Sequence, residues 1–152
     1  MNIVLHQPEI PHNTGAIGRT CLMTGAKLHL IRPYGFYLDE KSLKRSGLDY
    51  WPKLGVLEYN NFDEFLEKTP GTSFFLAETG GNMTYADAAY KKNDYIIFGS
   101  ETRGLPSYIL DNYPERIISI PMMGEDRSLN LSVSVGIILY EALRQTGFVG
   151  LI

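Results

Sequence analysis

Short runs of consecutive apolar, β-branched and aromatic residues recur along the chain, separated by stretches with helical spacing. The runs predict strands at Asn2–His6, Leu28–Arg32, Val56–Tyr59, Ser73–Glu78, Tyr95–Gly99 and Arg116–Ile120. Several are apolar on successive rather than alternate residues, the pattern of a strand covered on both faces. Between them, Asn13 or Thr14 can cap a helix that Gly25 ends, and Asp39 can cap one running to about Ser46. Asn61 can cap Phe62–Lys68 ahead of Pro70, and Pro106 opens a short helix to about Asn112. The last helix is the clearest, about Asn130 to Gln145, with Leu131, Val135, Ile138, Leu139, Ala142 and Leu143 on one face. Strand–helix alternation of this kind predicts an α/β protein, a mostly parallel sheet with helices on both faces. There is no internal repeat, linker or low-complexity stretch, and 152 residues suit one domain over 1–152.

Composition removes several classes. A hydrophobic fraction of 44% and a charged fraction of 20% exclude a disordered, collagen-like or disulfide-scaffold chain. The single cysteine, Cys21, excludes an internal disulfide and a cysteine-based zinc cluster, and fits the reducing cytoplasm. Placed mid-helix among Ile17, Leu22 and Ala26, it reads as a small buried thiol. The N-terminal MNIVLHQPEIPHN lacks the basic and then apolar regions of a signal peptide. No run approaches the roughly 18 apolar residues of a membrane span, so no membrane is expected. A net charge of −3 gives no global field for nucleic acid; DNA is not expected, and RNA would need a local patch. Lys41, Lys44, Arg45 and Arg103 are the candidates for such a patch.

Three segments do not read as scaffold: PEIPHNTGAIGR (Pro8–Arg19), FGSETRGLP (Phe98–Pro106) and IPMMGEDRSLNLS (Ile120–Ser132). Each follows the C-terminal end of a strand, where open α/β sheets bind ligands. Common motifs do not explain them. The first strand leads to no Gly-x-Gly turn, which argues against a Rossmann-type site. Leu105 and Pro106 stand where a P-loop carries Lys and Ser/Thr. The hydrolase Gly-x-Ser-x-Gly elbow is absent. His6, His12 and His29 lack metal-ligand spacing and read as surface or loop histidines, so no metal is expected. Trp51 reads as a packing or interface residue.

At these three segments, taken in order, the chain resembles the SPOUT superfamily of knotted RNA methyltransferases (SpoU/TrmH type), and within it the TrmL branch of tRNA (cytidine/uridine) wobble 2′-O-methyltransferases. LIRPYGF (Leu30–Phe36) and KRSGLDY (Lys44–Tyr50) are also similar to that branch, so the resemblance covers nearly the whole chain. It implies a deep trefoil knot near the C-terminus and S-adenosylmethionine (SAM) bound inside it. The SAM residues so implied are Ala77, Gly99, Gly104, Ile120, Ser128 and Leu129. Arg19 is the residue the family uses to activate the ribose hydroxyl. A guanidinium is a poor base, so Arg19 is read as a fixed cation for phosphate and developing alkoxide. Asn130, with Ser128, sits where it can reach cofactor and ribose or cap the last helix. Asn13 can cap its helix or touch RNA, and Glu101 can orient its neighbours or the SAM ammonium. Tyr140 either packs or binds RNA, alongside Lys44, Arg45 and Arg103.

The departures are His12 for a common second proline and Val133 for a usual asparagine; Met123–Glu125 is a variable stretch. The resemblance implies a cytoplasmic homodimer whose partner completes the site, methylating the wobble ribose of tRNA, with leucine isoacceptors as the expected substrates. The alternatives are another tRNA position, ribosomal RNA, or a non-catalytic knotted dimer that binds RNA or SAM.

Overall fold

The computed structural model describes residues 1–38, 50–124 and 128–152. Lys41, Lys44, Arg45 and the helix expected from Asp39 to Ser46 lie outside the described residues.

Among the described residues, seven strands form one parallel sheet: β1 (Asn2–His6), β2 (Lys27–Ile31), β3 (Leu57–Tyr59), β4 (Phe74–Ala77), β5 (Met83–Thr84), β6 (Tyr95–Phe98) and β7 (Ile117–Ser119). Their order across the sheet is β3-β2-β1-β6-β4-β7-β5. β6 thus inserts between β1 and β4, pairing Ile96 with Ile3 on one side and with Phe75 on the other. Helices α1 (Pro11–Thr24), α2 (Trp51–Leu54), α3 (Phe62–Lys68), α4 (Ser107–Asn112) and α5 (Leu131–Gln145) connect or flank the strands.

Alternation of side chains across the pleat divides the core in two. Ile3, Leu5, Leu28, Leu30, Ile96 and Phe98 face Ile17 and Cys21 of α1 and Val135, Ile138 and Leu139 of α5. Val4, Ile31, Leu76 and Ile97 face the other way, onto Phe62 and Phe65 of α3 and Ile109 of α4. Both faces are covered, which is why successive residues of β1 and β6 are apolar. Full burial of each such isoleucine contributes about 1.5–3 kcal/mol before entropy is counted.

The six strands expected from sequence are present with ends shifted by a residue or two, and α3, α4 and α5 fall where their signals lie. Asn61 caps α3 through its side chain, accepting from the Glu64 N–H at 2.8 Å. The sequence signals miss three short elements: β5, α2 and a 3-10 turn at Pro114–Arg116. Two to four residues fix too little hydrophobic period to read.

Two expectations are corrected. Neither Asn13 nor Thr14 caps α1; the helix begins earlier, with Pro11 in its first turn and Ile10 at the cap, and both residues are buried inside it. His6 and His29 are not surface histidines. They lie on β1 and β2 with 2% and 1% exposure, because both faces of the sheet are covered along those strands. His29 is held by polar partners. Asn2 Oδ1 can only accept, so His29 Nε2 donates to it (3.2 Å), leaving Nδ1 to accept from the Tyr59 hydroxyl at 2.9 Å. Burial lowers the pKa of each ring from 6.5 to about 4. Cys21 is buried as expected, and burial pushes its thiol up to about 12, far from a nucleophile's range. Trp51 packs in the core beside Gly18, where an added Cβ would come within 3.0 Å of the ring.

Candidate active site

A cleft of about 440 Å³ opens at the C-terminal ends of β1, β6, β4 and β7. Each of the three segments singled out in the sequence supplies part of its wall, and the end of β4 supplies the rest. Ala77, Gly99, Gly104, Ile120, Ser128, Leu129 and Asn130 all line it, as does Arg103 at its edge. Phe98, Ile118 and Ile138 add apolar surface.

The second segment is shaped by two glycines. Ser100 and Gly104 exchange backbone hydrogen bonds (3.2 and 3.0 Å), closing a tight loop back on the end of β6. Gly99 lies under this loop: a Cβ there would sit 2.0 Å from the Gly104 carbonyl carbon and 2.2 Å from the Leu105 nitrogen. Gly104 has φ of +65°, and its Cβ would strike Glu78 at 2.4 Å. Glu78, which the sequence reading did not single out, supports the loop by accepting the Leu105 N–H at 2.8 Å.

Carboxylates and amides bind the three segments together. Glu101 accepts the N–H groups of Glu9 (2.7 Å) and Ile10 (3.1 Å) and the Asn13 amide (3.1 Å). It thereby places a negative charge at the start of α1, where no side-chain cap exists. Glu9 reciprocates, accepting from the Thr102 N–H at 3.0 Å and its hydroxyl at 2.7 Å. Those Thr102 hydrogen bonds hold the Glu9 carboxyl below its ordinary pKa. Asn13 then accepts from Asn130 Nδ2 at 2.9 Å, while Asn130 Oδ1 caps α5 through the Ser132 N–H at 2.9 Å. Asn130 therefore both caps its helix and faces the cleft. Of these linkers, Glu9 is the one whose sequence carried no signal beyond its place in the first segment.

Arg19 and Tyr140 do not line the cleft. Arg19 is exposed on α1, and its guanidinium lies 5.7 Å from the centre of the Tyr50 ring. Six residues at ~100° each carry it about 120° round the helix from Asn13, off the cleft wall of its own chain. Tyr140 is half exposed on the outer face of α5, with Val133 exposed on the same side, so Tyr140 is not core packing. The Arg103 side chain is 75% exposed and only loosely paired with Glu9 at 3.9 Å.

A seven-stranded parallel sheet whose ligand-sized cleft is built from three strand-end loops matches a known class. The sequence profile of the SpoU rRNA Methylase family matches residues 1–140, and the chain belongs to that family. More particularly, it is 47% identical to the tRNA (cytidine(34)-2′-O)-methyltransferase of Photorhabdus asymbiotica, over 99% of this chain and 96% of that protein. An RNA methyltransferase structure from Bacillus anthracis superposes with a TM-score of 0.94 at 45% identity, covering 99% of this chain and 96% of that one. A structure concerned with 2-OH methylation of C/U34 on tRNA gives 0.88 at 46% identity, covering 95% of each chain. The SpoU methyltransferase AviRb from Streptomyces viridochromogenes, in complex with AdoMet, gives 0.82 at 26% identity over 96% of this chain and 57% of that one.

Proposed function

We propose that this chain is a SAM-dependent 2′-O-methyltransferase acting on the wobble ribose, nucleotide 34, of tRNA, as its relatives' names describe for them. The observation that carries the reading is the convergence of all three segments on one cleft. Its volume suits a nucleoside carrying an amino-acid arm, within the roughly 300–1,000 Å³ of small-ligand sites. Apolar walls at Ile118, Ile120 and Leu129 suit an adenine, and the carboxylates of Glu78 and Glu101 suit a cationic ligand. Ala77, Gly99, Gly104, Ile120, Ser128 and Leu129 would hold SAM, which supplies an activated methyl group on a sulfonium.

The protein's part is then alignment of the ribose hydroxyl, exclusion of water and stabilisation of the alkoxide. Asn130, fixed by Asn13 and by its own helix, spends one amide hydrogen on Asn13 and, among the described residues, keeps the other to orient the ribose. Arg19 is the fixed cation for phosphate and alkoxide. Because Arg19 lies off its own chain's cleft, the reading includes a cytoplasmic homodimer in which the Arg19 of one protomer serves the other's cleft. The exposed Val133 and Tyr140 of α5 and Met23 of α1 offer apolar surface for that contact. The trefoil knot belongs to the same reading. Transfer of a labelled methyl group from SAM to tRNA, followed by mapping of the methylated ribose, tests the activity and the position together. Label at a site other than nucleotide 34 would move the substrate assignment, and no transfer to any tRNA would overturn the reading.

A further inference from the structure

The segment that follows β2 carries aromatic surface that is tied to the rim of the cleft through Glu9. Tyr34 and Phe36 stack with ring centres 5.8 Å apart and planes within 20°. The Arg32 guanidinium lies 5.9 Å from the Tyr34 ring centre. Glu58 holds both Arg32 and Tyr34, accepting from the guanidinium at 2.9 Å and from the phenol at 2.7 Å. Burial and the Glu58 hydrogen bond push the Tyr34 phenol pKa up, so the ring stays neutral. Phe36 is only partly buried, and Tyr37 next to it is 85% exposed.

The group is fixed to the site through Glu9. Gly35 donates its N–H to the Pro8 carbonyl at 2.9 Å, and a Cβ on Gly35 would lie 2.7 Å from the Glu9 Cα. The Glu9 carboxylate in turn holds Thr102 in the loop that lines the cleft. The aromatic group and the cleft therefore share one short support.

Resting on the tRNA-methyltransferase reading above, we propose that Arg32, Tyr34 and Phe36 form a platform on which an unpaired base next to the target nucleotide stacks. Proteins read single-stranded RNA by stacking bases on aromatic rings and guanidinium planes. The charge balance favours a base over a phosphate. Arg32 is neutralised by Glu58, so the platform offers π-faces and one compensated guanidinium rather than a cationic patch. The Tyr34–Phe36 stack and the Glu58 contacts to Arg32 and Tyr34 arrange the surface before RNA arrives, which lowers the entropy cost of binding.

Phe36→Leu keeps the apolar volume and removes the ring; Phe36→Trp keeps a π-face. Binding of each full-length protein to an anticodon stem-loop is measured beside SAM binding and the far-UV spectrum. The same RNAs are used with the base deleted on either side of the target. The expected result is a loss of about tenfold to a hundredfold for Phe36→Leu, with SAM binding intact and Phe36→Trp near wild type. Deleting the stacked base should cost the wild type the same factor and cost Phe36→Leu nothing more. Unchanged RNA binding by Phe36→Leu, or losses that add when both changes are made, overturns the platform while leaving the activity in place. A wild-type protein that binds and methylates no tRNA overturns the platform together with the function.

Discussion

Asn13 Oδ1 accepts a hydrogen bond from Asn130 Nδ2 at 2.9 Å, joining residues 117 positions apart. The same Asn13 amide donates to Glu101 at 3.1 Å, so its two ends are committed in opposite senses and its orientation is fixed. One amide thus joins the first segment to the second and to the third. A carboxylate cannot replace it, having no hydrogen to give Glu101.

Asn13→Asp is therefore expected to reduce single-turnover methyl transfer more than Asn13→Ala, because it sets like charges in hydrogen-bond contact. Adding Glu101→Gln should restore part of the loss in Asn13→Asp and none in Asn13→Ala. A coupling energy of about 0.5–3 kcal/mol between the two positions is the expected size. Strict additivity in the double variant would show that the amide is not held in this way.

Gly99→Ala is expected to abolish SAM binding by calorimetry while the sheet survives in the far-UV spectrum. The cause differs from the ligand contact that the resemblance suggests. The new Cβ would meet the backbone of Gly104 and Leu105 at 2.0 and 2.2 Å, and backbone closed into a loop cannot move aside. Wild-type SAM affinity in the folded variant would mean that the loop can open without cost to the site.

Arg19→Ala and Asn130→Ala should each lose about 100- to 1,000-fold in single-turnover rate at saturating tRNA, the usual cost of one positioned electrostatic group. If Arg19 serves the partner's cleft, unfolding and refolding the two inactive variants together restores activity. Each mixed dimer then holds one site with both residues intact and one with neither. Activity that stays at the level of the separate variants would place Arg19 in its own chain's site.

Stability should fall between pH 7 and pH 5. His6 and His29 are neutral in the fold down to about pH 4 but take up protons near pH 6.5 when unfolded. The unfolded chain thus binds more protons in that window, and stability declines as pH falls through it. The slope is at most about 1.4 kcal/mol per pH unit for each histidine, so pH 5 costs about 2 kcal/mol per ring. The carboxyls of Glu9, Glu58, Glu64 and Glu141, whose pKa values are held low, release their stabilisation only below their ordinary 4.5. Urea unfolding at the two pH values checks the fall, and His29→Gln should flatten it by about half. An unchanged midpoint would mean that both rings titrate normally in the fold.

Much of the architecture was legible in the sequence because it depends on local period. Successive apolar residues in β1 and β6 require a sheet covered on both faces, and the spacing from Leu131 to Leu143 requires a one-sided helix. Gly25 and Asn61 act within their own turns, so their roles could be read at their own positions. The loops of the site were found as segments, since glycines and polar residues interrupt the apolar pattern at strand ends. What those residues do was decided only in three dimensions. Asn13 has the look of a cap, but Glu101, brought from the β6 end, supplies the charge at that helix start and takes the amide as a tether. His6 and His29 look like surface residues until the covered sheet buries them. Glu78 becomes a support for Gly104 only because β4 lies beside β6, a neighbour relation that no local pattern encodes. The hydrogen bonds from Glu9, Ile10 and Asn13 to Glu101, some ninety positions away, leave no mark on hydrophobic spacing, yet they hold the first and second segments of the cleft together.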